Sequence, residues 1–145
     1  MKYVGTWAFH SIGVMNDKDE MEYLGAEEYI KSPMPYIDES DEEAVGDEIR
    51  ERKKLVKMKV KICEDNKLYM LMPIPKEVTE EELSAAVASG RFMLIDGMLA
   101  DKAISWEERD GVLYYDFGFG NDDPFVKGID EDGYFTYMTT RFIKI

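Results

Sequence analysis

The sequence predicts an all-β fold, an antiparallel up-and-down barrel of about eight strands with one or two short helices. Three observations carry this. Short apolar runs alternate with polar residues at period two along much of the chain. Asp-Gly pairs at Asp96-Gly97, Asp110-Gly111 and Asp132-Gly133 punctuate its second half as hairpin turns. Strand-like runs also occupy both ends, around Gly5-Thr6-Trp7 and Thr140-Arg141, and a closed barrel brings its first and last strands together. A chain of 145 residues is long enough for one sizeable core and too short for two, so residues 1–145 read as a single domain.

The first strand is expected over 3–12, with Tyr3, Gly5, Trp7 and Phe9 on one face and Trp7 pointing into a core. Residues 13–22 are polar and read as a loop. Ala26–Lys31 suits a short helix ended by Ser32-Pro33-Met34-Pro35, because proline cannot continue the hydrogen-bond ladder. From 38 to 51 carboxylates dominate, and the segment reads as an exposed loop with a helical turn. Residues 55–62 form the cleanest alternation in the chain, Val56, Met58, Val60 and Ile62 against Lys57, Lys59 and Lys61. The lysine stripe reads as the solvent face of that strand. After the turn residues Glu64-Asp65-Asn66-Lys67, a strand over 68–74 is apolar on both faces and needs a cover on the Tyr69 and Leu71 side.

The expected cover is a helix over 80–89. Thr79-Glu80-Glu81-Glu82 has capping-box spacing, Leu83, Ala86 and Val87 make a small apolar stripe, and Gly90 fits a helix end. Further strands are expected over 91–95, 99–109, 112–119, 125–130 and 134–145, with a loop at Asn121-Asp122-Asp123-Pro124.

The same alternation sorts side chains inside the barrel. Phe135, Tyr137, Thr139, Arg141, Ile143 and Ile145 share one face of the last strand; Leu113, Tyr115, Phe117 and Phe119 share another, as do Ile104 and Trp106 on theirs, with Met58, Met70 and Met72 joining them. An interior of this size is either filled by side chains or holds one small ligand. The ten methionines suit both outcomes, since thioethers repack around variable apolar guests and also fill ordinary cores. The candidate ligand-binding residues are Met58, Met70, Met72, Trp106, Tyr115, Tyr137 and Arg141, with Tyr115, Tyr137 and Arg141 as the polar groups that would orient a guest. Arg141 has a competing structural role, a cation packed over Trp7 that closes the barrel.

Gly5-x-Trp7 on the first strand with an arginine on the last resembles the calycin superfamily of lipocalins and fatty-acid-binding proteins. The resemblance implies a lipocalin-like barrel with Trp7 near one end and Arg141 packed across it. The tail Thr140-Arg141-Phe142-Ile143-Lys144 is similar to the last strand of the intracellular members. Departures are plain: Ile143 stands where the carboxylate clamp of the cytosolic proteins has a tyrosine, the helix after Pro75 does not match a helical lid that follows the first strand, and there is no Thr-Asp-Tyr motif.

Charge narrows the partners. With 31 acidic against 18 basic residues the net charge is -13, which disfavours nucleic acid and anionic membrane surfaces, whose phosphates demand Lys and Arg. No apolar run approaches the roughly 20 residues of a membrane helix, and the N-terminus lacks a signal-peptide pattern. A single cysteine, Cys63, fits a reducing compartment, and a cytoplasmic protein is expected. No cofactor and no metal are expected: His10 and Cys63 lack zinc-ligand spacing, and Asp130-Glu131-Asp132-Gly133 has only part of a calcium loop. A Cys63-His10 nucleophile would need the two side chains in contact, and a Glu108-Asp116 acid-base pair would need Asp116 off the solvent face on which alternation puts it, so no catalytic residue is expected.

Non-enzymatic binding of a small apolar or amphipathic molecule in the barrel is therefore expected. The alternative is a structural or protein-interaction module with a filled core and an acidic surface that recruits a basic protein. A third reading is a barrel enzyme in which Tyr115, Tyr137 and Arg141 converge. The oligomeric state is left open.

Overall fold

The computed structural model describes residues 2–118 and 122–145. Phe119, expected to face inward, and the loop residue Asn121 lie outside the described residues. The elements run β1 (Gly5–Met15), β2 (Met21–Leu24), α1 (Ala26–Lys31), α2 (Glu42–Leu55), β3 (Lys59–Ile62), β4 (Lys67–Met72), α3 (Glu80–Ala88), β5 (Met93–Ile95), β6 (Met98–Ala100), β7 (Ile104–Arg109), β8 (Val112–Asp116), β9 (Phe125–Lys127), β10 (Phe135–Tyr137) and β11 (Thr140–Lys144). Among the described residues no helix is long and apolar enough to cross a membrane.

The main path of the sheet is β10-β11-β1-β3-β4-β7-β8-β9, antiparallel at every step. Its ends meet through a bridge between Ile129 and Phe135 and a 2.8 Å bond from the Thr136 N–H to the Gly128 carbonyl. The sheet is thus barrel-like, with the first and last strands adjacent as expected. A Cβ at Gly128 would lie 2.7 Å from Leu113 Cδ2, so only glycine allows β8 and this junction to approach so closely.

Three strands lie off this path. β2 pairs with the far end of β1, and the β5–β6 hairpin pairs with the end of β4. The expected loop over 13–22 is instead a hairpin, because Asn16 Oδ1 accepts the N–H groups of Lys18 and Glu20 and turns the chain back. The expected 99–109 strand is interrupted between β6 and β7.

The largest departure is α2, where a loop was expected. Its 14 residues have little apolar stripe, and the one that is buried is Arg52, 3% exposed. The guanidinium does the anchoring: it donates to the carbonyls of Tyr29 and Ser32, each at 2.8 Å, and to Ser32 Oγ at 2.9 Å, and it lies over the Tyr29 ring. These carbonyls end α1, so a buried cation satisfies groups that a short helix leaves unpaired. Asp41 caps the start of α2 by accepting the N–H groups of Glu43 and Ala44. Because α2 runs to Leu55, the expected 55–62 strand begins only at Lys59.

The 134–145 strand also divides. Met138 adopts a left-handed φ of 56° and the chain turns there, with the Thr139 carbonyl accepting the Gly13 N–H at 2.8 Å. A turn between β10 and β11 resets the alternation, so Phe135, Thr140 and Phe142 are buried while Ile143 is 42% exposed. The expected inward face of Thr139, Arg141, Ile143 and Ile145 is corrected accordingly: the inward residues of β11 are Thr140 and Phe142.

Candidate functional site

The floor of the barrel is a filled core. Trp7, Val60, Ile62, Leu68, Trp106, Leu113, Tyr115, Phe135 and Phe142 are buried in one cluster, and Tyr115 and Phe135 rings pack at 5.4 Å. Polar atoms at this end bond to backbone rather than to a guest. The Trp7 indole N–H donates to the Tyr3 carbonyl at 2.9 Å, the Tyr3 hydroxyl to the Gly111 carbonyl at 2.5 Å, and the Trp106 indole N–H to the Cys63 carbonyl at 3.1 Å. Buried Tyr and Trp find partners in this way because an unpaired donor in an apolar core is costly.

The register places Lys144, not Arg141, across from Trp7. Its ammonium donates to the Lys2 carbonyl at 2.9 Å, and its stem passes over Gly5, where a Cβ would meet Lys144 Cε at 3.0 Å. The expected closing pair of Trp7 and Arg141 is corrected: Trp7 is buried at the floor, and the cation facing it in register is Lys144. Arg141 pairs with Ser11 across a bulge at His10, on the face opposite Phe142. There its guanidinium lies 3.9 Å from the Tyr23 ring centroid and 5.0 Å from that of Tyr134, with Nε 2.9 Å from Asp130 and Nη2 3.2 Å from Asp132. Arg141 is a staple of the outer face, joining β2, β11 and the Asp130–Gly133 turn.

The Asp130–Gly133 segment is that turn. Asp130 Oδ1 accepts the N–H groups of Asp132 and Tyr134 while Oδ2 faces Arg141, which engages the carboxylate that a cation would need. Among the described residues no three His, Cys, Asp or Glu side chains are grouped to hold a metal ion.

The remaining site candidates divide between floor and mouth. Trp106 and Tyr115 are buried core residues, Tyr137 is half-buried with its ring 5.8 Å from that of Tyr115, and Met70 packs against the same cluster. The Tyr115 hydroxyl donates to the Thr136 carbonyl at 3.2 Å, and burial pushes its pKa well above the ordinary value, so it is a neutral donor. Tyr115 and Tyr137 are thus together inside, with Arg141 outside, and the three do not converge. Burial likewise raises the Cys63 thiol, helped by Asp65, which leaves it a weak nucleophile. His10 is occupied elsewhere, stacked on Tyr134 at 4.3 Å with Nδ1 2.9 Å from Ser11 Oγ. Glu108 sits opposite Leu113 rather than Asp116.

Met72 is placed differently, and Met58 touches both regions, packing against the core cluster while it also reaches the mouth. Both line a cavity of about 830 Å³ at the opposite end, where β3 begins and β4 ends. Its other walls include Val78, Leu83 and Ala86 from α3 and its approach, and Phe92 and Leu99 from the segments that follow. α3 forms because Thr79 accepts the Glu82 N–H at 3.1 Å and Gly90, at φ 79°, lets the chain leave. It stands across the cavity from Met72, on the Leu68 and Met70 row of β4. The expected cover therefore faces this row and not the Tyr69 and Leu71 row, whose Leu71 is fully buried in register with Ala100. Sequence reasoning found the Leu83 and Ala86 stripe but missed Phe92 and Leu99, which carry no periodic signal around the short β5–β6 hairpin.

A scan of protein-family models, a search of curated proteins and a search of solved structures each found no match to the chain. Fold and site together define a class: an antiparallel barrel-like β protein with a filled floor and a helix-roofed apolar cavity at its mouth.

Proposed function

We propose that this chain is a non-enzymatic, lipocalin-like binding protein that takes a small apolar or amphipathic molecule in the mouth cavity. One observation carries the reading: about 830 Å³ of mainly apolar space stands between α3 and the open ends of β3 and β4. That volume lies within the range of small-molecule sites. The guest rests on Met58, Met72, Leu83 and Leu99, not among Trp106, Tyr115 and Tyr137, which fill the floor. Two features support the calycin resemblance. β1 and β11 are neighbours, and α1 and α2 occupy the connection after the opening strands, near where the fatty-acid-binding proteins carry their helical lid. An unpaired cysteine suits a cytoplasmic setting.

The filled floor and the net charge of -13 favour a second reading, an interaction module whose acidic surface recruits a basic protein. Native mass spectrometry of protein purified from its host, repeated after denaturation, separates the two. A small molecule released on denaturation, and lost from a Leu83→Trp variant, supports the binder. An apo mass, together with no stabilisation of the fold by any member of an apolar ligand panel, overturns it in favour of the interaction module.

A further inference from the structure

We infer that the guest is an amphiphile with a phosphate-type head, held in a basic groove that opens beside the mouth cavity; this rests on the binding reading above. The groove has a volume of about 600 Å³ and shares the residues Glu51, Lys54, Pro73 and Pro75 with the cavity. A tail in the cavity therefore has a continuous way out between the last turns of α2 and the Pro73–Pro75 segment.

The charge of this groove runs against that of the chain. Its acids are Asp47, Glu51 and Glu77, and two of them are already engaged, Asp47 by Arg50 and Glu51 by Lys54 at 3.4 Å. Lys53, Lys57 and Lys76 also line it, all exposed and none ion-paired among the described residues. Three unpaired cations thus face a single free carboxylate, in a protein where acids outnumber bases 31 to 18. Lys57 belongs to this group because α2 displaces the start of β3, so it leaves the solvent face of the strand expected from the Lys57, Lys59 and Lys61 stripe.

The cation type selects the head. A cluster of lysines acts as several point charges rather than as one fork, and a phosphate monoester offers it more negative charge and more acceptor oxygens than a singly charged carboxylate does. The groove's arginine, Arg50, is committed to Asp47, and the free cations are all lysine. Placing them next to an apolar cavity lets one ligand satisfy both regions.

Calorimetric titration of the full chain with four probes of equal tail length tests this: decyl phosphate, decanoate, decanol and decyltrimethylammonium. Decyl phosphate is expected to bind about tenfold more tightly than decanol at low ionic strength, with the margin shrinking as salt is added. A Lys53→Gln, Lys57→Gln, Lys76→Gln variant should bring decyl phosphate to the level of decanol. Salt dependence in the native protein provides the same test without any substitution. Equal binding of decyl phosphate and decanol, or a margin untouched by the substitutions, overturns the head assignment while leaving the cavity reading intact. Decanoate matching decyl phosphate overturns the phosphate choice. Failure of all four probes, decanol included, removes the cavity reading and this inference with it.

Discussion

The floor and the mouth of this barrel are built from the same strands and close by different physics. At the floor, Trp7, Trp106 and Phe135 interdigitate, and each indole N–H finds a backbone carbonyl, so the space is filled and its polar atoms are satisfied. At the mouth, the start of β3 and the end of β4 stay paired, Lys59 with Leu71, and the space beside them is bounded by a nine-residue helix, α3, whose residues are small or acidic except for Leu83 and Val87. Alanines and a short stripe cannot fill the gap they roof. Dense packing is therefore concentrated at one end and open apolar space at the other, a division that lets a small domain keep a cavity without losing its core.

The contrast can be broken most forcefully at the floor. Trp106→Ala should cost about 4 kcal/mol through lost burial and a residual cavity, read as a lower urea midpoint. Arg52→Met should cost about 3 kcal/mol, because the α1 carbonyls and Glu48 lose their buried partner. The loss should appear first as faster amide exchange in α1 and α2, and protection unchanged there would show that the helix pair stands without its arginine.

At the mouth the balance should invert. Leu83→Trp is expected to leave the unfolding midpoint nearly unchanged, because the cavity has room for the ring, while weakening binding of an apolar probe by about tenfold. A large loss of stability with binding retained would mean that α3, not the floor, holds the fold. Arg141→Ala tests the outer face: a loss of about 1 kcal/mol is expected, with ligand affinity unchanged, since its partners are Asp130, Asp132, Tyr23 and Tyr134. An affinity change would restore Arg141 to the binding site.

The smallest effect is one of pH. The Tyr36 hydroxyl holds the Glu48 carboxyl below its ordinary value of 4.5, and Arg52 pulls it the same way. A carboxyl with a depressed folded pKa contributes fully above its unfolded value, and that contribution is lost as pH falls through the folded one. Unfolding curves from about pH 6 to about pH 3 should show this acid-side decline, and Tyr36→Phe should flatten part of it.

Much of this architecture is legible in the chain. Asp96, Asp110 and Gly133 punctuate turns where the Asp-Gly rule puts them, Asp96 and Asp110 with left-handed φ values of 52°. Thr79 starts α3, and Val60 and Ile62 face in while Lys61 faces out to Asp96 at 2.9 Å. The site was only partly legible. Met58 and Met72 were on the expected inward row, but alternation reports which face a residue takes and not whether that level of the barrel is filled. Arg141 was assigned inward because a two-residue turn at Met138, without Gly, Pro, Asn or Asp, gave no sign that the alternation would reset.

By itself, then, the sequence determined the local chemistry: which runs are extended, where carboxylate-glycine turns reverse them, and which helix starts at Thr79. These depend on residues within a few positions of one another, and such interactions are written in spacing. The tertiary structure decided α2, the position of Arg141 and the division between filled floor and open mouth. Each depends on partners far apart in the chain: Arg52 on carbonyls about twenty residues back, Arg141 on Tyr23, and the cavity on α3 meeting the ends of β3 and β4. Packing density and the satisfaction of buried polar groups are properties of the assembled volume, which no local pattern encodes.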